Sequence, residues 1–130
     1  MIFIKEILSF GIGTDMENIS RFKKLRLDDN KLFFKRIFTK NELEYCFSYK
    51  KPAPHLAGRY VGKEAVIKAL ASINKLDIDY KNIEIVNNKD GVPLVKMQNI
   101  GDNIKIYLSL SHCADKAMAF AIAIEVKSNE

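Results

Sequence analysis

The chain has 130 residues, 48% hydrophobic and 28% charged, with a net charge of +5 and a pI near 9.2. That length can bury a core without disulfides or a structural metal, and that composition excludes intrinsic disorder. The basic balance points to an acidic partner, for which nucleic acid, an anionic protein and a phosphorylated cofactor all qualify at this level.

Cys46 and Cys113 lie far apart and match no metal-ligand spacing, a usage that suits a reducing compartment and so the cytoplasm. The apolar start, Met1 to Leu8, is interrupted by Lys5 and Glu6, too short and too charged for a signal peptide or a membrane span. With no repeat, low-complexity stretch or linker-like segment, residues 1–130 are expected to form a single domain.

In chain order, Ile7 to Thr14 reads as a strand whose Gly11 and Gly13 mark a bend or a close approach. Asp15 then precedes an expected helix of ten or more residues, with Met16, Ile19 and Phe22 at three-residue spacing and Arg21, Lys23, Lys24 and Arg26 outside. Thr39 to Glu42 has the form of a capping box opening a helix through Tyr45 and Phe47. Lys50 to Pro54 interrupts it. The longest helix, from about His55 to Ser72, is alanine-rich and apolar nearly all round, as a buried spine should be.

The second half changes to period two. Asn82 to Val86 alternates weakly, and Asn88 to Gly91 forms a turn before Val92 to Val95. Ile104, Ile106, Leu108 and Leu110 share one strand face; Lys105, Tyr107, Ser109 and Ser111 share the other. In the last strand, Met118, Phe120, Ile122, Ile124 and Val126 oppose Ala117, Ala119, Ala121 and Ala123, an alanine face that admits a helix or a neighbouring subunit at close range. The sum is an α+β fold, an antiparallel sheet packed on a long central helix.

Glu64 falls in the stripe of Leu56, Tyr60, Ile67 and Ala71, where a carboxylate needs compensation. Lys68, four residues on, offers an ordinary helical ion pair. Arg59 and Lys63 add positive charge beyond what one pair needs, which suits a site that receives phosphate. Asp15 at a strand-to-helix junction is either an N-cap or a ligand for a hard cation. Magnesium takes only one or two protein carboxylates, so Asp15 and Glu64 suffice if the fold unites them. His112 ends the best strand, either as a structural histidine or as a phosphate or proton-transfer contact. The Gly11/Gly13 pair lacks the context of a dinucleotide fingerprint, and no Walker motif or serine elbow is present.

Taken in order, these residues resemble the bacterial holo-acyl-carrier-protein synthases, the short class of 4′-phosphopantetheinyl transferases. The resemblance is carried by Gly11-Ile-Gly-Thr-Asp15 with Arg21-Phe22, by Phe38-Thr-Lys-Asn-Glu42, by Leu56 through Ala69, by Gly91-Val-Pro93 and by Ser109-Leu-Ser-His112. It implies transfer of the 4′-phosphopantetheine group of coenzyme A to a serine of apo acyl carrier protein, with release of adenosine 3′,5′-bisphosphate, in support of fatty acid biosynthesis. On the matching positions, Asp15 and Glu64 would bind Mg²⁺. Lys68 would assist at the pyrophosphate, and Arg59, Lys63 and His112 would contact coenzyme A, His112 and Glu64 counting with Lys68 as catalytic. Whether Glu64 or a metal-bound water takes the serine proton stays open. Arg21 and Lys24 would meet the carrier. The family assembles as homotrimers with shared active sites, and neither a membrane nor nucleic acid is an implied partner.

Two departures stand out: a short extension, Met1 to Glu6, and Gly62 where alanine is expected, at about 1 kcal/mol of helix propensity. A nucleic-acid-binding domain would explain the pI but not the two carboxylates, and only Tyr107 offers a stacking surface among the charges. A non-catalytic scaffold would leave Lys68 and His112 unused.

Overall fold

The computed structural model describes residues 6–128. Strand β1 (Ile7–Asn18) leads into a single helical turn, α1 (Ser20–Lys23), then α2 (Lys31–Ile37), α3 (Lys40–Phe47) and α4 (Ala53–Ser72). A 3₁₀ turn at Tyr80–Asn82 opens β2 (Ile83–Asn87), followed by β3 (Pro93–Met97), β4 (Ile104–His112) and β5 (Lys116–Val126). The strands form two antiparallel sheets, β1-β5-β4 and β2-β3. The α+β architecture on a long helix is as the sequence implies.

Helix α4 is the spine. Pro52 and Pro54 start it, since proline costs little where backbone N–H groups have no intrahelical partner. It ends on Asn74 at φ 64°, with Lys75 N–H bonded to Leu70 O at 2.9 Å and Asn74 N–H to Ala71 O at 3.1 Å, the two bonds of a Schellman cap. Its sheet-facing side meets the smallest residues of the chain. Gly11 and Gly13 in β1 pair with Ala123 and Ala121 in β5. A Cβ on Gly13 would lie 2.1 Å from Ala65 O and one on Gly11 2.3 Å from Ala69 O, so only glycine admits the helix at this depth. The alanine face of β5 is thus filled by α4, which settles the choice left open between a helix and a subunit.

The opposite sheet face is left apolar and open. Leu8, Phe10, Ile12 and Met16 of β1 and Met118 and Phe120 of β5 are exposed on it. Gly62 sits under β2 and β4: an added Cβ would stand 2.7 Å from Ile85 Cδ1 and 3.3 Å from Leu108 Cδ2 and Leu110 Cδ2. The glycine therefore makes room for the second layer.

Three expectations change. The helix expected after Asp15 shrinks to four residues, because β1 stays paired with β5 as far as Asn18. Met16 consequently points outward, while Ile19 and Phe22 are buried. Helix α2 was not expected from periodicity; it is seven residues with no side-chain cap, held by burying Phe34 and Ile37. Thr39 and Glu42 do form the capping box, and α4 begins two residues earlier than expected. The apolar start at 1–5 lies outside the described residues. Among those residues no helix is long and apolar enough to cross a membrane, and Cys46 is buried while Cys113 is exposed.

Candidate functional site

Helix α4 runs antiparallel along β1: Gly11 meets Ala69 to Ile73, and Gly13 meets Ala65 to Ala69. Two strand residues advance about 6.6 Å and four helix residues about 6 Å. The next inward residue of β1, Asp15, therefore arrives at the level of residues 61–65, which includes Glu64. Lys68 joins strand to helix: its Nζ donates to Thr14 O at 2.9 Å and to Asp15 Oδ1 at 3.2 Å. Asp15 is paired in mid-strand with Ala119, so it caps no helix. The expected Glu64–Lys68 ion pair does not form either. Glu64 Oε1 instead accepts from the Tyr80 hydroxyl. Burial and, next, that carboxylate raise the Tyr80 hydroxyl above its ordinary pKa, so it stays a donor.

Asp15 Oδ2 and Glu64 Oε2 have no partner among the described residues, and both side chains are half-buried. No three His, Cys, Asp or Glu side chains of the described residues gather around a point. Two unpaired hard oxygens fit magnesium, which completes its shell with water and phosphate oxygens.

Arg59 and Lys63 do not surround Glu64. At about 100° per residue they share a face turned from that of Tyr60, Glu64 and Lys68. Lys63 is fully buried, 2.5 Å from Glu42 Oε1, and donates to Ile37 O at 2.7 Å and Tyr80 O at 3.1 Å. With no exposed surface it touches no ligand, so the expected coenzyme A contact is withdrawn for this residue. Arg59 is also buried, yet lacks a carboxylate partner among the described residues. Its Nη2 donates to Asn87 Oδ1 at 3.2 Å, its guanidinium lies 4.3 Å over the Tyr45 ring, and its Nε has no hydrogen-bond partner among the described residues. A buried cation with a free donor and no counter-charge favours an incoming anion.

His112 shares the helix-facing side of the sheet, opposite Ala117, which in turn pairs with Glu17. It is thus one row beyond Asp15 and two strands across, about 12 Å at ordinary strand spacing and rise. Its neighbourhood is that of His55, whose imidazole pKa is lowered by burial and then by the charges of Arg59 and His112. The expected residues therefore fall into two groups, Asp15, Glu64 and Lys68 beside β1, and Arg59 and His112 towards β2 and β4.

Arg21 is exposed and bonded to Glu17 Oε2 at 2.7 Å, with its guanidinium 5.0 Å over the Tyr60 ring. Lys24, at the end of α1, is exposed. A groove of about 490 Å³ holds none of the carboxylates; Ile19, Phe22 and Leu25 floor it and Lys23 and Lys51 rim it. Tyr80, Tyr60, Asn87 and Tyr45 were missed from sequence. Only Tyr60 sat in a stripe already singled out; the others reach the site through the fold.

A family profile described as the 4′-phosphopantetheinyl transferase superfamily matches residues 11–124. A holo-[acyl-carrier-protein] synthase of Thermodesulfovibrio yellowstonii is 44% identical over 112 residues, spanning 86% of this chain and 96% of that protein. A crystal structure of a holo-(acyl-carrier-protein) synthase from Bacillus anthracis in complex with CoA (3′,5′-ADP) is 26% identical, with a TM-score of 0.73, covering 92% of this chain and 97% of that one. The Helicobacter pylori synthase in complex with coenzyme A is 25% identical, with a TM-score of 0.69, covering 89% and 99%.

Proposed function

Because the chain belongs to the 4′-phosphopantetheinyl transferase superfamily, we propose that it moves the 4′-phosphopantetheine group of coenzyme A onto a serine of apo acyl carrier protein. Adenosine 3′,5′-bisphosphate is the second product. The names of its relatives and the coenzyme A complexes of two of them support this reading. The observation that carries it is the seating of Asp15 against α4, beside Lys68 and level with Glu64.

In the reaction, the serine oxygen, giving up its proton to Glu64 or to water, forms a bond to the phosphorus bearing the pantetheine arm. The bond from that phosphorus to the bridging oxygen breaks, and its electron pair leaves with the nucleotide. Such transfers are accelerated chiefly by positioning and by stabilising phosphoryl charge. Asp15 and Glu64 would hold Mg²⁺, which when bound neutralises charge on the pyrophosphate oxygens. Lys68 has three ammonium donors, of which Thr14 O and Asp15 Oδ1 use two. The third is free for a phosphoryl oxygen, where it would strengthen as charge moves to the leaving group.

His112 lies across the sheet from Asp15 and Arg59 is turned to another face of α4, so they take a phosphate remote from the reacting one. Arg21, with Lys24 and the lysine-rimmed groove beside them, receives the acidic carrier. The open apolar face of β1 and β5 is too continuous to remain in water, and it supports assembly into a homotrimer. The setting is cytoplasmic fatty acid biosynthesis.

The test is direct. Purified protein is incubated with coenzyme A, Mg²⁺ and apo carrier protein, and the carrier's intact mass is followed, with a chelator in a parallel reaction. A phosphopantetheine mass gain that the chelator suppresses is expected. No gain, where a known transferase modifies the same carrier, refutes the reading.

A further inference from the structure

The feature that the reaction scheme leaves unused is Tyr80, whose hydroxyl donates to Glu64 Oε1. A glutamate on a helix surface has three rotatable bonds, and holding it as a ligand requires an outer partner that fixes its orientation. Tyr80 is itself held from three sides. Its backbone N–H donates to Asp79 Oδ1 at 2.7 Å, and its carbonyl accepts from Lys63 Nζ at 3.1 Å. Its ring stacks on Tyr60, with centroids 6.1 Å apart and planes 23° apart. Lys63 in turn is locked by Glu42 in the core. The backbone that carries the hydroxyl is therefore tied, through Lys63, to the buried core.

We propose that Tyr80 is a positioning residue: its hydroxyl fixes Oε1 of Glu64 so that Oε2 is presented to Mg²⁺. This rests on Glu64 being a metal ligand, as read above. It also gives the buried Lys63–Glu42 pair a purpose beyond stability, since Lys63 anchors the backbone of Tyr80.

Tyr80→Phe removes the hydroxyl and keeps the ring on Tyr60. Mg²⁺ is titrated by calorimetry into wild type and variant, each saturated with coenzyme A, and transfer is measured across Mg²⁺ concentrations. The expected result is Mg²⁺ affinity weakened by about 10-fold or more, the usual effect of losing an outer partner. Carrier KM and thermal midpoint should stay unchanged, and excess Mg²⁺ should restore kcat. Unchanged Mg²⁺ affinity in Tyr80→Phe, or a loss of transfer that excess Mg²⁺ does not restore, overturns the role of Tyr80 alone. Absence of Mg²⁺ binding in the wild type overturns it together with the metal reading.

Discussion

Two lysine–carboxylate pairs on α4 have the same chemistry and different fates. Lys63 and Glu42 meet at 2.5 Å with both side chains fully buried; Lys68 and Asp15 meet at 3.2 Å with side chains 53% and 20% exposed. Five helical positions turn the chain by about 140°, enough to send one lysine inward and the other to the rim. In the buried pair the lysine is spent on Glu42, Ile37 O and Tyr80 O. Burial lowers the Lys63 ammonium below its ordinary pKa, and Glu42 opposes that shift. In the open pair an ammonium donor and a carboxylate oxygen remain available. Architecture uses up its hydrogen bonds, whereas a site keeps some free.

That contrast can be broken first at its buried end. Glu42→Ala leaves Lys63 as an uncompensated interior charge and should destabilise by about 3–5 kcal/mol. The thermal midpoint should drop by roughly 10 °C or more. A drop comparable to that of a surface variant would show that the pair is not structural.

At the open end, Asp15→Asn and Glu64→Gln should leave the thermal midpoint nearly unchanged. Transfer should fall by more than the about 10- to 100-fold expected for losing a mere outer partner. Either variant with near-wild-type turnover at limiting Mg²⁺ would remove that residue from the ligand set. Lys68→Ala should cost about 10- to 100-fold in kcat, the worth of one charge-assisted hydrogen bond. Its stability should move by no more than about 1 kcal/mol, since the pair is exposed; a larger shift in chemical denaturation would blur the distinction between the pairs. Arg21→Glu should have the smallest effect, a severalfold rise in KM for the carrier with KM for coenzyme A unchanged. Steady-state kinetics with each substrate varied in turn decides it, and equal effects on both refute a docking role.

Much of the scaffold was legible. Thr39 and Glu42 announced a cap by spacing alone, the alanines of β5 announced a close neighbour, and the apolar breadth of α4 announced a spine. What failed was local spacing overruled by pairing: Met16, Ile19 and Phe22 imitate a helix, but β5 supplies hydrogen bonds to β1 through Asn18. At the site, Asp15, Glu64 and Lys68 could be singled out by residue type and position. Their partners could not be inferred, because Lys68 chooses Asp15, from 53 residues away, over Glu64 four residues before it. Tyr80 carried no periodic signal at all, and its contact with Glu64 exists only once the turn before β2 is folded against α4. The charge of Lys63 looked like that of Lys68 until burial separated them.

The carboxylates beside β1 are proposed to hold Mg²⁺ against the coenzyme A pyrophosphate. Calorimetric titration of coenzyme A into wild type, Asp15→Ala and Glu64→Ala, with and without Mg²⁺, tests it most directly. Tighter coenzyme A binding with Mg²⁺ in the wild type, lost in both variants, is the predicted result. The same Mg²⁺ enhancement in all three proteins would contradict it.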